Sequence, residues 1–89
     1  MSPEEQLITK IIKSLVDDLE SVKISATISE HTAVYDISVS DKDVGKVLGK
    51  KGSHADALRT IFGAIYGRVG KKLHLRIIDP KKVNKPRGK

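Results

Sequence analysis

The spacing of apolar residues along the chain predicts six elements of secondary structure. The first is a helix, because apolar residues recur at helical spacing from Leu7 onward. Ser2, Pro3 and Glu5 supply a capping box with proline in the first turn. The apolar stripe consists of Leu7, Ile8, Ile11, Ile12, Leu15, Val16 and Leu19. It predicts one amphipathic helix that packs on a core along its whole length.

From residue 22 the apolar period shortens to two, which is typical of half-buried strands. Residues 22–28 and 33–39 alternate in this way on either side of a short turn at Glu30-His31, so they predict a hairpin. A third alternating segment covers residues 73–78, and Asp79-Pro80 ends it. The chain therefore contains three predicted strands.

Two further helices are predicted between the second and third strands. Ser40 to Asp43 repeats a capping pattern and begins a short helix of roughly two turns, which Gly49 ends. A longer helix runs from about Ser53 to Gly70. Its predicted inward residues are Ala55, Leu58, Ile61, Phe62, Ile65 and Val69. The order α-β-β-α-α-β predicts an α+β fold with helices packed on a mixed three-stranded sheet, because the two-helix crossover lets the last two strands run parallel.

Composition places this pattern in one small intracellular domain. A chain of 89 residues fits a single domain, predicted at residues 1–79 and followed by a basic disordered tail at 80–89. The absence of cysteine excludes disulfides, thiolate metal sites and cysteine nucleophiles. The apolar runs are too short for a membrane helix, and Glu4 and Glu5 stand where a secretory signal carries positive charge. We therefore expect a cytoplasmic protein with no membrane partner.

Charge is distributed unevenly along the chain. Residues 1–41 carry 3 basic and 8 acidic side chains, residues 42–79 carry 9 and 3, and residues 80–89 carry 5 and none. This segregation predicts an acidic side and a basic side, and a basic side attracts polyanions such as nucleic acid. Lysines that only solubilise the surface explain the net charge of +6 equally well. A motif is needed to decide between the two interpretations.

That motif is the loop Gly49-Lys50-Lys51-Gly52, between the two central helices. Its glycines permit backbone angles and close approaches that side chains forbid. The helix that follows presents free N–H groups and the positive end of its dipole, and the two lysines add charge. The loop therefore suits a phosphate group, although a plain turn with solvated lysines is the alternative for such a motif taken alone.

In its context the loop resembles the core of a KH domain. The stretch that carries the resemblance is Val44-Gly45-Lys46-Val47-Leu48-Gly49-Lys50-Lys51-Gly52, preceded by a strand and followed by an apolar-striped helix. The order of elements resembles the type II, prokaryotic KH fold over residues 3–78. The length resembles that of the small stand-alone bacterial KH RNA-binding proteins (KhpA-like).

The resemblance implies that the loop clamps the backbone of about four unpaired nucleotides of single-stranded RNA while the bases lie in an adjacent apolar groove. It implies a post-transcriptional regulator or RNA chaperone. The predicted RNA-binding residues are Gly45, Leu48, Gly49, Lys50, Lys51, Gly52, Ser53, His54 and Arg59. Further groove candidates, each of which could instead belong to the core, are Val44, Val47, Ala55, Leu58 and residues 34–37.

A phosphate-binding enzyme is the first alternative, and the sequence argues against it. A P-loop requires G-x-x-x-x-G-K-[ST], whereas Gly45 precedes Gly49 by four positions and no hydroxyl residue follows Lys50. His31, His54 and His74 are scattered, without a paired acid or an activated serine. We therefore predict no enzyme activity, no cofactor, no metal site and no small-molecule substrate.

A protein-interaction module or ribosome-assembly accessory, whose basic face binds a partner, is the alternative that stays open. Gly63 and Gly67 are small residues at a four-residue spacing, which favours a helix contact in a weak homodimer, although close packing inside the domain explains them equally well. The resemblance also implies pairing with a second KH protein of the Jag type. The basic residues of the tail either attract RNA without specificity or aid solubility: Lys81, Lys82, Lys85, Arg87 and Lys89.

Overall fold

A computed structural model of the chain describes residues 2–78. Short 3-10 turns join six main elements, which are α1 (Pro3–Leu15), β1 (Lys23–Ile28), β2 (Thr32–Ser38), α2 (Val44–Leu48), α3 (Ser53–Gly67) and β3 (Lys72–Ile78). This order confirms the predicted α-β-β-α-α-β arrangement and the α+β class. The predicted strand end at Asp79-Pro80 and the predicted tail at 80–89 lie outside the described residues.

The three strands form one mixed sheet in the order β1-β2-β3. Strand β1 pairs with β2 in antiparallel fashion, and β2 pairs with β3 in parallel, with Tyr35 beside Leu75. The mixed sheet expected from the two-helix crossover is thus confirmed. Because Ser38 and Ile78 are paired, the C-terminal ends of β2 and β3 lie side by side. Helix α2 follows β2 from this end of the sheet.

The core lies between the helices and one face of the sheet. Tyr35 and Phe62 are its largest fully buried side chains, and their rings pack 6.3 Å apart. The hydroxyl oxygens of Tyr35 and Tyr66 lie 2.6 Å apart, so the polar ends of two buried rings satisfy each other. Burial and this hydrogen bond raise the pKa of Tyr35. The pair fixes α3 against the central strand.

Helix α1 begins as predicted but ends earlier. The Ser2 hydroxyl accepts from the Glu5 N–H and the Glu5 carboxylate accepts from the Ser2 N–H, which confirms the capping box. The prediction of one buried stripe through Leu19 is wrong, because the helix ends at Leu15 and Leu19 is 52% exposed in a separate turn. Beyond Leu15, backbone N–H groups bond to the side chain of Asp43 instead of helix carbonyls, which diverts the chain. Leu7, at the border of the stripe, is also largely exposed.

Helix α3 is shorter than predicted and turns a slightly different face to the core. Ala55, Leu58 and Phe62 are buried as expected, and Ile65 is half-buried. Ile61 and Val69 were predicted to point inward and do not, since they are 52% and 66% exposed. The buried stripe continues instead from Phe62 to Tyr66, one helical turn on, and the helix ends at Gly67 before Val69 is reached.

Candidate nucleic-acid interface

The loop between α2 and α3 has a defined backbone shape. Gly49, Lys51 and Gly52 all adopt positive φ angles, of +77°, +56° and +78°. The Gly49 N–H donates to the Gly45 carbonyl at 2.9 Å, and the Gly52 N–H donates to the Gly49 carbonyl at 3.0 Å. Glycine adopts such angles at little cost, whereas Lys51 pays about 1 to 2 kcal/mol for its left-handed conformation. Strain at a non-glycine residue of this kind is typical of binding loops.

Gly49 is required for a second reason. A Cβ atom added there would lie 2.5 Å from Cγ of His54 and 2.7 Å from the His54 backbone nitrogen. At Gly52 an added Cβ meets no atom within 4 Å, so only the backbone angle favours glycine at that position. The first glycine of the motif therefore makes room for the start of α3, and the second one only turns the chain.

The electrostatics of the loop favour an anion. Lys50 and Lys51 are exposed, and within residues 2–78 neither ammonium lies within ion-pair distance of a carboxylate. Helix α3 begins directly after Gly52, which has no side chain to accept from the first N–H groups of the helix. Two unpaired cations and an uncapped helix N-terminus therefore lie at one point of the surface, as phosphate binding requires.

Lys46, four residues before Lys50, is engaged differently. Its ammonium contacts the carboxylates of Asp17 and Asp43, and the Asp43 carboxylate also accepts from the N–H groups of Asp17 and Asp18 at 3.3 and 3.0 Å. Asp43 is buried, and its pKa is held below its usual range. The largest cause is the hydrogen bond from the Asp18 N–H, and the Asp17 N–H and the Lys46 ammonium add to it. The two carboxylates, Asp17 first, raise the pKa of Lys46. Sequence reasoning missed this network because Asp17 and Asp18 lie 25 to 29 residues from their partners Asp43 and Lys46.

Arg59 lies at the boundary between α3 and the edge strand β3. Its Nε donates to the Leu75 carbonyl at 3.2 Å, and its Nη1 lies 3.4 Å from the Asp56 carboxylate. Within residues 2–78, β3 pairs with β2 alone and is therefore an edge strand of the described sheet. The contact joins β3 to α3 about two helical turns beyond the loop.

The groove candidates predicted on β2 divide between the core and the opposite face of the sheet. Tyr35 and Ile37 are fully buried in the core, while Val34 and Asp36 alternate onto the sheet face away from the helices. Among the other groove candidates, Val44, Val47, Ala55 and Leu58 are also buried. These four side chains therefore pack in the core beneath the loop. No local pattern indicates that Arg59 would contact β3, because strand order depends on long-range pairing.

The remaining predicted residues surround the loop. Gly45 is exposed on α2, and a Cβ atom added there would meet nothing within 4 Å, so packing within the domain does not require glycine. Leu48 is half-buried immediately before the loop. Ser53 and His54 are exposed in the first turn of α3, and Nδ1 of His54 lies 2.8 Å from the Lys46 carbonyl. The predicted residues from Gly45 to His54 thus lie on and around the loop, and Arg59 lies farther along α3.

A second surface feature lies on the flank of α3 that faces α1. An apolar pocket of about 230 Å³ separates α1 from α3, and it is lined by Ile11, Leu15, His54, Ala57, Leu58 and Ile61. Within residues 2–78 no three His, Asp or Glu side chains are placed to hold a metal ion. In the same part of the chain, no helix combines the length and apolar character needed to cross a bilayer.

Comparisons with known proteins cover nearly the whole described fold. The family model for the KH domain of KhpA/KhpB matches residues 5–77. The RNA-binding protein KhpA of Listeria monocytogenes is 41% identical over 75 residues, which are 84% of this chain and 99% of the relative. The proteins of the same name from Borreliella burgdorferi and Aquifex aeolicus are 38% and 37% identical, covering 85% and 89% of this chain and 93% and 100% of theirs. No solved structure gives a significant match.

Proposed function

Because the chain belongs to the KhpA/KhpB family of KH domains, we propose that it binds single-stranded RNA through the Gly49–Gly52 loop. The relatives are named RNA-binding proteins. Lys50, Lys51 and the N-terminus of α3 contact the phosphates of about four nucleotides. The bases lie between Gly45 and Leu48 on one side and Arg59 with the edge of β3 on the other. Membership of a family of non-enzymatic KH-domain binders sets the enzyme alternative aside.

The observation that carries this proposal is the difference between paired and unpaired lysines. Asp17 and Asp43 already neutralise Lys46, whereas Lys50 and Lys51 carry charge without a carboxylate partner in residues 2–78. A cation that is already paired gains little from a phosphate, because its own carboxylate must be given up first. Unpaired cations beside an open helix terminus gain the full interaction.

The test compares two charge-reversed variants in binding to pools of short single-stranded RNA. Lys50→Asp/Lys51→Asp changes the loop, and Lys10→Asp/Lys13→Asp makes the same change in net charge on the exposed face of α1. We expect the loop variant to lose most of its affinity and the α1 variant to lose little, with circular dichroism showing that both fold. Equal losses would mean that only net charge matters. Full binding by the loop variant would transfer the role to another face and favour the protein-interaction module or ribosome-assembly accessory.

The residues after the domain add a sequence-independent contribution in this proposal. Three or four phosphate contacts give a log–log salt slope of roughly −2 to −3, or about a 30-fold loss of affinity between 50 and 200 mM salt. Deleting residues 80–89 removes 5 basic side chains, so binding should weaken and its salt dependence should flatten while sequence preference stays. Unchanged affinity would leave these residues a role in solubility only.

We assign this activity to the cytoplasm, as that of a post-transcriptional regulator or RNA chaperone. A chaperone accelerates the pairing or unpairing of RNA strands, whereas a simple binder protects single strands without changing those rates. Annealing of two complementary RNAs, followed with and without the protein, separates the two roles. The loop variant Lys50→Asp/Lys51→Asp serves as the control, because it should remove either activity.

A second candidate activity is weak self-association, with another copy of this chain as the partner. Added Cβ atoms at Gly63 and Gly67 would meet nothing within 4 Å, so close packing inside the domain does not explain these glycines. On the flank of α3 that faces α1, Ile61 is exposed beside the apolar pocket. Sedimentation of Gly67→Gln and Ile61→Asp at high concentration tells which flank is used. A wild-type protein that stays monomeric would exclude the homodimer and leave pairing with a Jag-type KH protein to a mixing experiment.

A further inference from the structure

His54, the second residue of α3, touches both sides of the loop. Its Nδ1 lies 2.8 Å from the carbonyl of Lys46 in α2, and its Cγ occupies the space beside Gly49 where a side chain would otherwise stand. A carbonyl oxygen can only accept, so Nδ1 carries the proton. In the neutral ring the other nitrogen, Nε2, then has no proton. Neutral His54 therefore has no N–H group left to donate to a phosphate.

The hydrogen bond from His54 satisfies the Lys46 carbonyl at the end of α2. Helix α2 ends at Leu48, and the carbonyls of the last turn of a helix lack partners within it. The Gly45 carbonyl receives the N–H of Gly49, and the Lys46 carbonyl receives the imidazole of His54. A histidine at the start of one helix thus caps the end of the preceding helix, across the loop that joins them.

Lys46 is fixed at its other end as well. Its ammonium contacts Asp17 and Asp43, and Asp43 is buried and bonded to the backbone after α1. A continuous series of contacts therefore runs from the body of the domain through Lys46 to His54 and Gly49. The loop is held from outside itself, which matters because three of its residues adopt positive φ angles and one of them is a lysine.

We propose that His54 is a positioning residue, which holds the Gly49–Gly52 loop in its binding conformation and does not itself bind a phosphate. The proposal rests on the proposed function, because it concerns the same loop. Without the hydrogen bond to Lys46, the loop samples more conformations, and RNA must then select the competent one at a cost in affinity. An exposed hydrogen bond of this kind corresponds to about a 3- to 10-fold change.

The test uses two substitutions, one of which removes the hydrogen-bond donor while the other keeps one. His54→Ala removes it, whereas the side-chain amide of His54→Asn places a nitrogen near the position of Nδ1 and keeps it. We expect about 3- to 10-fold weaker RNA binding for the alanine variant and recovery of most of that loss for the asparagine variant. Amide hydrogen exchange at Gly49 and Gly52 should accelerate in the alanine variant only. In the unsubstituted protein, imidazole nitrogen chemical shifts should report a proton on Nδ1.

The outcomes separate this proposal from the one on which it rests. If Lys50→Asp/Lys51→Asp loses binding while His54→Ala binds and exchanges like the unsubstituted protein, the positioning role is wrong and the RNA site stands. Equal losses in both His54 variants, with unchanged exchange, would mean that the ring contacts RNA directly. If the lysine variant keeps its affinity, the RNA site is wrong, and hydrogen exchange together with the imidazole shifts still decides whether His54 holds the loop. A neutral ring with its proton on Nε2 and none on Nδ1 in the free protein would overturn the proposal by itself.

Discussion

Lys46 and the pair Lys50-Lys51 lie within six residues of one another, yet the fold places them in opposite environments. The ammonium of Lys46 contacts two carboxylates, one of which belongs to the fully buried Asp43. Lys50 and Lys51 project into solvent from a loop whose backbone they do not stabilise. The first lysine connects α2 to the chain that follows α1, and the other two remain available for a ligand.

The difference shows why net charge along a chain is a poor guide to binding. All three lysines fall in the stretch of residues 42–79 with 9 basic side chains, and charge alone offers no reason to separate them. The partners of Lys46 come from both the acidic and the basic parts of the chain, since Asp17 precedes residue 42 and Asp43 follows it. Pairing across the fold decides which cations are free, and free cations set the affinity for a polyanion.

The largest effect is expected when Asp43, the buried partner of Lys46, is removed. Asp43→Ala leaves the N–H groups of Asp17 and Asp18 and the ammonium of Lys46 without their buried acceptor. Loss of a buried, multiply bonded carboxylate should lower Tm by more than about 5 °C in a domain of this size. Glu30→Ala removes the same charge from an exposed turn and should leave Tm nearly unchanged. Thermal unfolding by circular dichroism measures both, and equal Tm values would mean that Asp43 is dispensable.

A second prediction separates the salt dependence of RNA binding from thermal stability. Lys50→Gln/Lys51→Asn removes two charges, and asparagine tolerates the left-handed conformation of residue 51, so the loop keeps its shape. The salt slope of RNA binding should fall by about 0.7 for each lysine, while Tm should not fall, because asparagine also relieves the strain at residue 51. Lys46→Gln should do the reverse and lower Tm with no change in slope. Binding titrations at several salt concentrations measure this, and a lower slope for Lys46→Gln would contradict the division of roles.

A third prediction concerns acid. Hydrogen bonds from Asp18 and Asp17 hold the pKa of Asp43 in the folded state below its usual range. The stabilising contribution of a carboxyl group with a lowered pKa is present above its unfolded value of about 3.9 and is lost as the pH falls through the folded value. The free energy of unfolding should therefore decrease below about pH 4. Urea unfolding at several pH values gives this curve, which should be flatter for Asp43→Asn. An ordinary pKa for Asp43 in a carbon-detected NMR titration would exclude this source of acid sensitivity.

Features that depend on neighbours in the sequence could be predicted, and features that depend on distant partners could not. The capping box joins Ser2 to Glu5, three residues away, and the strands follow from alternation within a few positions. The end of α1 depends on Asp43, which is 26 residues from Asp17. No local pattern indicates that contact, so the apolar residue Leu19 was wrongly added to the helix.

The same division applies to the candidate site. Residues 49–54 form a continuous stretch that joins two helices, so the sequence could name them together. The groove was predicted to include β2 because the sequence does not specify which strand contacts Arg59. That contact with the Leu75 carbonyl follows from the position of β3 at the edge of the sheet within residues 2–78.

The smallest expected effect separates the two glycines at either end of α2. Gly45→Ala places a methyl group where no protein atom lies within 4 Å, and alanine in a helix is more stable than glycine by about 0.5 to 1 kcal/mol. Stability should therefore rise slightly while RNA affinity falls, because the methyl group narrows the surface that bases approach. Gly49→Ala should instead lower stability, since its Cβ would lie 2.5 Å from the His54 ring. Chemical denaturation and RNA titration of both variants measure the contrast. If Gly45→Ala keeps full affinity, the exposed glycine of α2 is not part of the RNA surface, and the bases must approach from Arg59 and β3 alone.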